Sequence, residues 1–213
     1  MTERFAKIIS YIFHPLFGCT YAGIFLVLAN PHLFAFSSRN DRILWIAMVF
    51  LLTCIFPIFW VFLMKQLELI DSLKLEDRKQ RIIPYVATAT FYLWAFMLFK
   101  PTAHPNIFSN SYMSHMLLGA ALAVFIGFFV NIFSKISLHT MAAGSFMALL
   151  LLMLGLSDYD LKLLFMAVIL LSGLIGTARL ILNAHSQGEV MWGYAAGFTG
   201  QFVAFVVIPH YFS

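Results

Sequence analysis

Residues 160–209 read DLKLLFMAVILLSGLIGTARLILNAHSQGEVMWGYAAGFTGQFVAFVVIP, two long apolar runs joined by one short polar junction. Each run has about the 20 residues that a helix needs to cross the hydrocarbon core of a membrane. At the junction, Arg179, His185 and Glu189 form the pattern Arg-x5-His-x3-Glu. Ionisable residues in or beside a membrane span are costly to keep there and mark functional sites. The stretch predicts two membrane helices with a chemical site where they meet.

Similar apolar runs fill the rest of the chain. Seven occur, at 8–30, 43–64, 82–100, 115–134, 137–157, 160–182 and 190–209. The 213 residues are 62% hydrophobic and 10% charged, whereas a soluble domain carries about a quarter charged residues. Such a chain cannot cover itself with polar surface, so lipid must solvate it. We expect an all-α protein, a polytopic transmembrane helical bundle of six to seven spans, with residues 1–213 forming a single integral membrane domain.

The remaining composition excludes several classes of function. The net charge is +4, and no block of Lys and Arg is long enough to bind nucleic acid. Cys19 and Cys54 lie inside apolar runs, so we expect them to be core residues. The segment after Met1 continues as a span without a cleavage site, so no removable signal peptide is expected. His14, like the other scattered histidines, has no metal-ligand spacing and is expected to lie at the membrane interface.

Proline and glycine predict local features of the spans. Pro15 and Pro57 lie inside apolar runs and should kink them, because each removes a backbone donor. Gly193, Gly197 and Gly200 place small residues on one side of the last span. Small residues let helices approach closely in lipid. The last span should therefore pack tightly against its neighbours.

Counting the spans assigns each connection to a membrane face. With seven spans, the amino terminus, the 65–81 connection, Lys135 and the 183–189 junction share one face, which we call the site face. Lys and Arg number nine on the site face and four on the opposite face. The positive-inside rule then favours a cytoplasmic site face. Without Lys74, Arg81 and Arg179, which are candidate site residues, six cations remain on the site face against four on the opposite face.

The first polar cluster lies in the 65–81 connection. Lys74 and Arg81 are seven residues apart, close to two helical turns, and would point the same way on a helix. Two cations on one side suit a group with several negative oxygens, such as phosphate. The alternative is a solvated helix with ion pairs such as Asp77–Arg81.

The second cluster opens the fifth apolar run. Ser137 stands where a helix should begin and would commonly be its N-cap. His139 follows two residues later, either as a satisfied interfacial histidine or as a general acid, because imidazole titrates near neutral pH. A helix start also presents free N–H groups, which favour anions.

The third cluster is the Arg179, His185 and Glu189 pattern. His185 and Glu189 are spaced i,i+4 and should hydrogen-bond, so the carboxylate would fix the tautomer and leave the other ring nitrogen free to attack. Arg179 ends the preceding span, where a cation also interacts well with the carboxyl end of a helix. Because the three clusters share the site face, they predict one site for a phosphate group.

The three clusters resemble the signature of the type 2 phosphatidic acid phosphatase superfamily. That signature has the parts K-x6-R-P, P-S-G-H and S-R-x5-H-x3-D. Their counterparts here are Lys74-x6-Arg81 with the proline displaced to Pro84, Ile136-Ser137-Leu138-His139, and Ala178-Arg179-x5-His185-x3-Glu189. Order and membrane face agree, and the first two spans contribute nothing to the match. The chain departs from the pattern at Leu138, Ala178 and Glu189, which would alter the geometry without removing a titrating group.

The resemblance implies a membrane lipid phosphatase that needs no metal or other cofactor. Four side chains would bind the phosphoryl oxygens, namely Lys74, Arg81, Ser137 and Arg179. His185 would attack phosphorus to give a phosphohistidine, Glu189 would orient it, and His139 would protonate the leaving oxygen. The partners would be membrane lipids and a lipid phosphomonoester or polyprenyl diphosphate substrate. The location would be the inner or plasma membrane of a bacterium, with the site facing away from the cytoplasm, opposite to the charge count.

Two other classes of protein fit the same residues. One is a synthase or transferase that consumes a prenyl diphosphate at the same cationic site. The other is a lipid-binding membrane protein or transporter without catalysis. The apolar runs do not distinguish one lipid tail from another, and the oligomeric state stays open.

Overall fold

The structure is a computed structural model that describes residues 1–34, 39–72, 78–101, 107–157 and 159–207. These residues form α-helices joined by short 3-10 and π turns and contain no β-strand. The α-helices are α1 Glu3–Ile12, α2 Gly18–Ala29, α3 Arg39–Phe50, α4 Phe56–Gln66, α5 Ile82–Phe99, α6 Ser111–Phe133, α7 Leu138–Met153, α8 Lys162–Ile181 and α9 Gln187–Phe202. The predicted all-α class is confirmed.

Five helical segments of the described chain are long and apolar enough to cross a membrane. They are Glu3–Ala29, Arg39–Gln66, Lys79–Phe99, Ser111–Phe133 and Lys162–Ile181. Phe133, Leu163 and Leu170 are 82%, 75% and 71% exposed, which suits contact with lipid rather than water. The helices α7 and α9 have 16 residues each and complete the bundle. The chain is an α-helical membrane protein, as predicted.

Both prolines that lie inside spans interrupt their helices. Pro15 begins the 3-10 turn Pro15–Phe17, which separates α1 from α2. Pro57 lies in the first turn of α4, directly after the π turn Leu51–Ile55. The missing N–H of proline prevents a continuous ladder of i→i−4 hydrogen bonds, which accounts for the change of helix type beside each proline.

The short helix α1 packs along the carboxyl-terminal half of α8, at the end of the bundle that corresponds to the site face, which we call the site end. Ala6 and Ile9 are buried in a small cluster with Ile175 and Ala178 of α8. This packing brings Ser10, in the last turn of α1, next to the carboxyl end of α8. The first apolar segment therefore contributes to the same end of the molecule as the predicted site.

The centre of the bundle is made by α6, α7 and α9. A Cβ atom on Gly197 would overlap the backbone carbonyl of Met141 in α7, and one on Gly193 would overlap the Thr140 hydroxyl. A Cβ on Gly200 would press on the backbone of α6 at Ala123. The predicted close packing of the last span is confirmed, and it holds the amino ends of α7 and α9 side by side.

Replacing Gly197 by alanine is expected to destabilise the protein by about 3 kcal/mol, because a methyl group against backbone forces the two helices apart. The measurement is thermal unfolding of the purified protein in detergent. Gly173→Ala in α8 is the matched control, because a Cβ there meets nothing within 4 Å. Equal unfolding temperatures for the two variants would contradict the packing.

Candidate functional site

One internal cavity of about 530 Å³ opens among the helices at the site end of the bundle. Four of the predicted site residues line it, namely Arg81, His139, Arg179 and His185. Arg81 ends the 3-10 turn before α5, and His139 lies in the first turn of α7. Arg179 lies in the last turn of α8, and His185 follows it in the junction to α9. Segments far apart in sequence thus deliver two cations and two imidazoles to one space.

The other three predicted residues have different positions. Glu189 stands behind His185 and hydrogen-bonds to it. Ser137 is fully buried, and its hydroxyl accepts a hydrogen bond from the Thr140 N–H at the start of α7. It does not line the cavity, so the N-cap interpretation describes its side chain. Lys74 lies outside the described residues.

The hydrogen bonds of His185 determine which ring nitrogen is free. Its Nδ1 lies 3.2 Å from Glu189 Oε2 and 3.2 Å from the carbonyl oxygen of Lys135. Both oxygens accept, so Nδ1 carries the proton and the neutral ring has its lone pair on Nε2. The side chain of His185 is only 5% exposed. The predicted i,i+4 contact is confirmed, and Nε2 is the atom available for chemistry.

The carboxylate that orients His185 is itself held by the start of α9. Ser186 and Glu189 form a capping box, in which the Ser186 N–H donates to Glu189 Oε2 and the Glu189 N–H donates to the Ser186 hydroxyl. Such a reciprocal cap satisfies two donors of the helix end. Because the longer glutamate reaches both Ser186 and His185, the departure from aspartate at this position leaves the orienting contact intact.

Charge and burial act together on His185. Burial lowers the pKa of His185 below its ordinary value, the hydrogen bond to Glu189 opposes this fall, and the positive charges of Arg179 and Arg81 add to it. A histidine with a lowered pKa is neutral at pH 7. The imidazole is therefore unprotonated at Nε2 under neutral conditions.

The two arginines are held by groups outside the cavity. Arg179 donates from Nη1 to the Ser10 hydroxyl at 3.2 Å, while its buried Nε has no hydrogen-bond partner among the described residues. Arg81 donates from Nη1 to the carbonyl oxygen of Ile136 at 3.3 Å. A buried guanidinium donor without a partner is costly. Arg179 thus keeps donor capacity that an anion would satisfy.

His139 is tied to the first helix. Its Nε2 lies 3.1 Å from the carbonyl oxygen of Ser10, which only accepts, so Nε2 is the protonated nitrogen. In the neutral ring Nδ1 is then an acceptor, and a second proton would be bound there. Ser10 thus contacts both His139 and Arg179.

Ser10 and His14 are site residues that the sequence analysis missed. His14 was expected at the membrane interface without a role in the site, and its ring lines the cavity beside His139. The first two spans carry no part of the family signature, yet the break after α1 places His14 at the cavity wall. A signal was present, since a histidine beside a proline within an apolar run is a costly residue to place there. Nothing local distinguishes Ser10.

Beyond its polar end the cavity wall is mostly apolar. Leu138 and Leu149 of α7 both line it, and they are about 16 Å apart along a helix that rises about 1.5 Å per residue. Other apolar walls come from α2, α4 and α6, for example Ala22, Ile58 and Val124. The volume lies within the range of about 300–1,000 Å³ typical of small-molecule sites. A ligand with a charged head and an apolar tail matches this division.

Carboxylates are absent from the described wall of the cavity. Within the described ranges, no group of three or more His, Cys, Asp and Glu side chains is arranged to hold a metal ion. No protein-family model matches the chain, and comparison with curated proteins and with solved structures finds no significant match. Fold and site together define an α-helical membrane protein with a cationic, imidazole-bearing cavity.

Proposed function

We propose that the protein is a membrane lipid phosphatase, which hydrolyses a lipid phosphomonoester or a polyprenyl diphosphate through a phosphohistidine on His185. One observation carries the proposal: the polar end of a single, otherwise mostly apolar cavity is lined by Arg81, Arg179, His139 and His185. The cations would hold the phosphate group at the membrane surface. The apolar part would take the lipid tail.

In the proposed reaction, the lone pair on His185 Nε2 attacks phosphorus. A nitrogen–phosphorus bond forms, the bond from phosphorus to the leaving oxygen breaks, and that oxygen keeps the electron pair. His139 would take up a proton at Nδ1 as the negatively charged phosphate group binds beside it, since a nearby negative charge favours the imidazolium. It would then give this proton to the leaving oxygen, while its Nε2–H remains on the Ser10 carbonyl. Water, deprotonated by His139 Nδ1, then cleaves the nitrogen–phosphorus bond and releases orthophosphate. Such acid–base assistance typically contributes about 10²–10⁴-fold.

The arginines would stabilise the charge on the transferring group. Guanidinium groups fixed before the reaction are effective because they need no rearrangement as charge develops. Arg179 has an unpartnered Nε for this purpose, and Arg81 stands beside it at the polar end of the cavity. By its motif Lys74 is a third candidate cation.

The arrangement of His185 supports hydrolysis over the two alternatives. A protein that only binds lipid headgroups has no need for an imidazole oriented by a carboxylate. A synthase or transferase that consumes a prenyl diphosphate at the same cationic site has no need for an imidazole that attacks phosphorus. Both alternatives therefore leave Glu189 and the free Nε2 unexplained.

The test is turnover by the purified protein in detergent with a panel of lipid phosphates, in the presence of a metal chelator. Dioleoylphosphatidic acid, phosphatidylglycerol phosphate and farnesyl diphosphate serve as probes. Release of orthophosphate that vanadate inhibits is expected for at least one of them. Inorganic diphosphate with a new carbon skeleton would instead identify a synthase, and binding without any turnover would identify a lipid-binding protein.

The pH profile of kcat/KM gives a further prediction. The nucleophile must be unprotonated, so activity falls as the pH drops through the pKa of His185, which is lowered by burial. The acid limb should therefore lie below pH ~6.5, the ordinary histidine value. Glu189→Gln removes a group that raises this pKa, so the limb should move to still lower pH. An acid limb that stays in place in Glu189→Gln would contradict the assignment.

The orientation and location of the protein belong to the same proposal, which places it in the inner or plasma membrane of a bacterium. Labelling of single cysteines introduced at Lys79 on the site face and Arg39 on the opposite face would decide the side. Cys19 and Cys54 are buried, so the native cysteines should react little with the labelling reagent. Labelling of Lys79→Cys by an impermeant reagent in spheroplasts would place the site outside the cytoplasm.

A further inference from the structure

His14 stands at the break between α1 and α2, and its ring lines the polar end of the cavity. Its Nδ1 accepts a hydrogen bond from the Leu16 N–H at 3.4 Å. A ring nitrogen that accepts carries no proton, so the neutral ring has its proton on Nε2. No described residue accepts a hydrogen bond from Nε2. His14 is therefore a neutral donor at the wall of the cavity.

The neighbours of His14 define where this donor stands. The ring of His139 lies edge-on to it, with the centroids 5.4 Å apart and the planes at 79°. The centroid of the Phe17 ring lies 6.4 Å from that of His14. His139 has its Nε2 on the Ser10 carbonyl, so the two imidazoles differ in what they offer. His139 offers Nδ1 as an acceptor, which becomes an acid when protonated. His14 offers its Nε2–H as a donor.

We propose that His14 is a substrate-binding residue whose Nε2–H donates a hydrogen bond to an oxygen of the bound phosphate group on the side of His139. This role rests on the proposed function, because it assigns His14 to the same phosphate site. His139 is the proposed donor to the leaving oxygen, so His14 acts on the leaving-group side, beside the general acid. The nucleophile, His185, reaches the phosphate from a different segment of chain.

The chemistry of a neutral donor suits this place. The hydrogen bond to Leu16 N–H fixes the tautomer and the ring orientation before substrate binds. A donor positioned in advance costs no rearrangement when charge develops on the reacting oxygens, and the loss of one such donor typically costs about 10²–10³-fold in kcat. His14 adds this contact without placing a further positive charge beside Arg179.

The competing interpretation is that His14 only caps the 3-10 turn Pro15–Phe17. Two amide side chains separate the interpretations. Asparagine has its polar atoms at the distance of Nδ1, so His14→Asn keeps an acceptor for the Leu16 N–H and removes the far donor. Glutamine is one carbon longer, so His14→Gln places an N–H near the position of Nε2 and weakens the cap.

The experiment compares the parent protein with both variants in detergent, after size-exclusion chromatography and thermal unfolding have shown that they are folded. Turnover of dioleoylphosphatidic acid and farnesyl diphosphate is measured, and the binding of orthovanadate is followed by thermal shift. His14→Asn is expected to lower kcat/KM by about 10²-fold and to weaken vanadate binding. His14→Gln should recover at least a tenth of the parent activity.

Parent-like turnover and vanadate binding in His14→Asn would overturn the inference while leaving the phosphatase intact. A His14→Gln variant that is impaired more than His14→Asn would also overturn it in favour of the cap. If His14→Asn does not fold, His14→Gln decides alone: near-parent turnover supports a donor and a complete loss contradicts it. A parent protein without turnover or vanadate binding would remove the proposed function and this role together, and no variant is needed to see it.

Discussion

Replacing His185 with asparagine is expected to lower kcat/KM for lipid phosphate hydrolysis by roughly 10⁴-fold or more, the scale on which nucleophile removal acts in other enzymes. Asparagine keeps a polar group at the position of Nδ1, so the contacts to Glu189 and to the Lys135 carbonyl can persist. It has no atom at the position of Nε2. The loss would therefore isolate the atom proposed to attack phosphorus.

The measurement is orthophosphate release, combined with quenching in base and denaturant to trap a covalent phosphoryl-enzyme during turnover. A phosphohistidine is labile to acid and stable to base, so the parent protein should show a base-stable, acid-labile label that His185→Asn lacks. His115→Asn is the matched control, because His115 packs against Phe205 and does not line the cavity. A His185→Asn variant that turns over like His115→Asn would end the phosphohistidine proposal.

Replacing Arg179 with lysine is expected to lower kcat/KM by about 10²–10³-fold although the charge is retained. Lysine is a point charge on a flexible stem and cannot reproduce the planar fork of donors. In the structure, Nη1 of this guanidinium donates to the Ser10 hydroxyl, and its Nε has no partner among the described residues. The variant would lose both the anchor at Ser10 and the geometry offered to a phosphate group.

Arg78→Lys provides the matched control for Arg179→Lys. Arg78 lies on the same face and donates to the carbonyl oxygens of Ile132 and Phe133 at the end of α6, and it does not line the cavity. Its replacement should leave kcat/KM within about threefold of the parent, since surface substitutions rarely have large effects. Because both substitutions retain the charge, equal losses in the two variants would show that the fork of Arg179 has no special role.

The fold was largely predictable because it depends on features that are local in sequence. Apolar runs of span length, such as 160–182, became helices or pairs of helices broken at Pro15 and near Pro57. The glycines of the last run were predicted to pack closely, and Gly197 meets the backbone of α7. Hydrophobicity and backbone sterics act residue by residue, so they can be read without coordinates.

The candidate site was predictable only where its signal was a short spacing. The pair His185 and Glu189 forms the expected i,i+4 contact, because the start of a helix sets that distance. Ser137 was predicted to bind phosphate, yet its hydroxyl caps α7. The direction of a side chain at a helix start depends on which partner it finds, and both alternatives have the same sequence.

By itself, the sequence determined that this chain is an α-helical membrane protein. It also predicted that charged and imidazole side chains lie at one membrane face. Only the tertiary structure decided that α1 brings Ser10 to His139 and Arg179, and that the break after α1 puts His14 at the cavity wall. It also decided which nitrogen of His139 is free. The free nitrogen of His139 is set by the Ser10 carbonyl, 129 residues away. The Lys135 carbonyl, 50 residues from His185, adds to the contact that Glu189 provides nearby. A hydrogen bond between groups so far apart exists only once the helices have packed, so no local pattern encodes it.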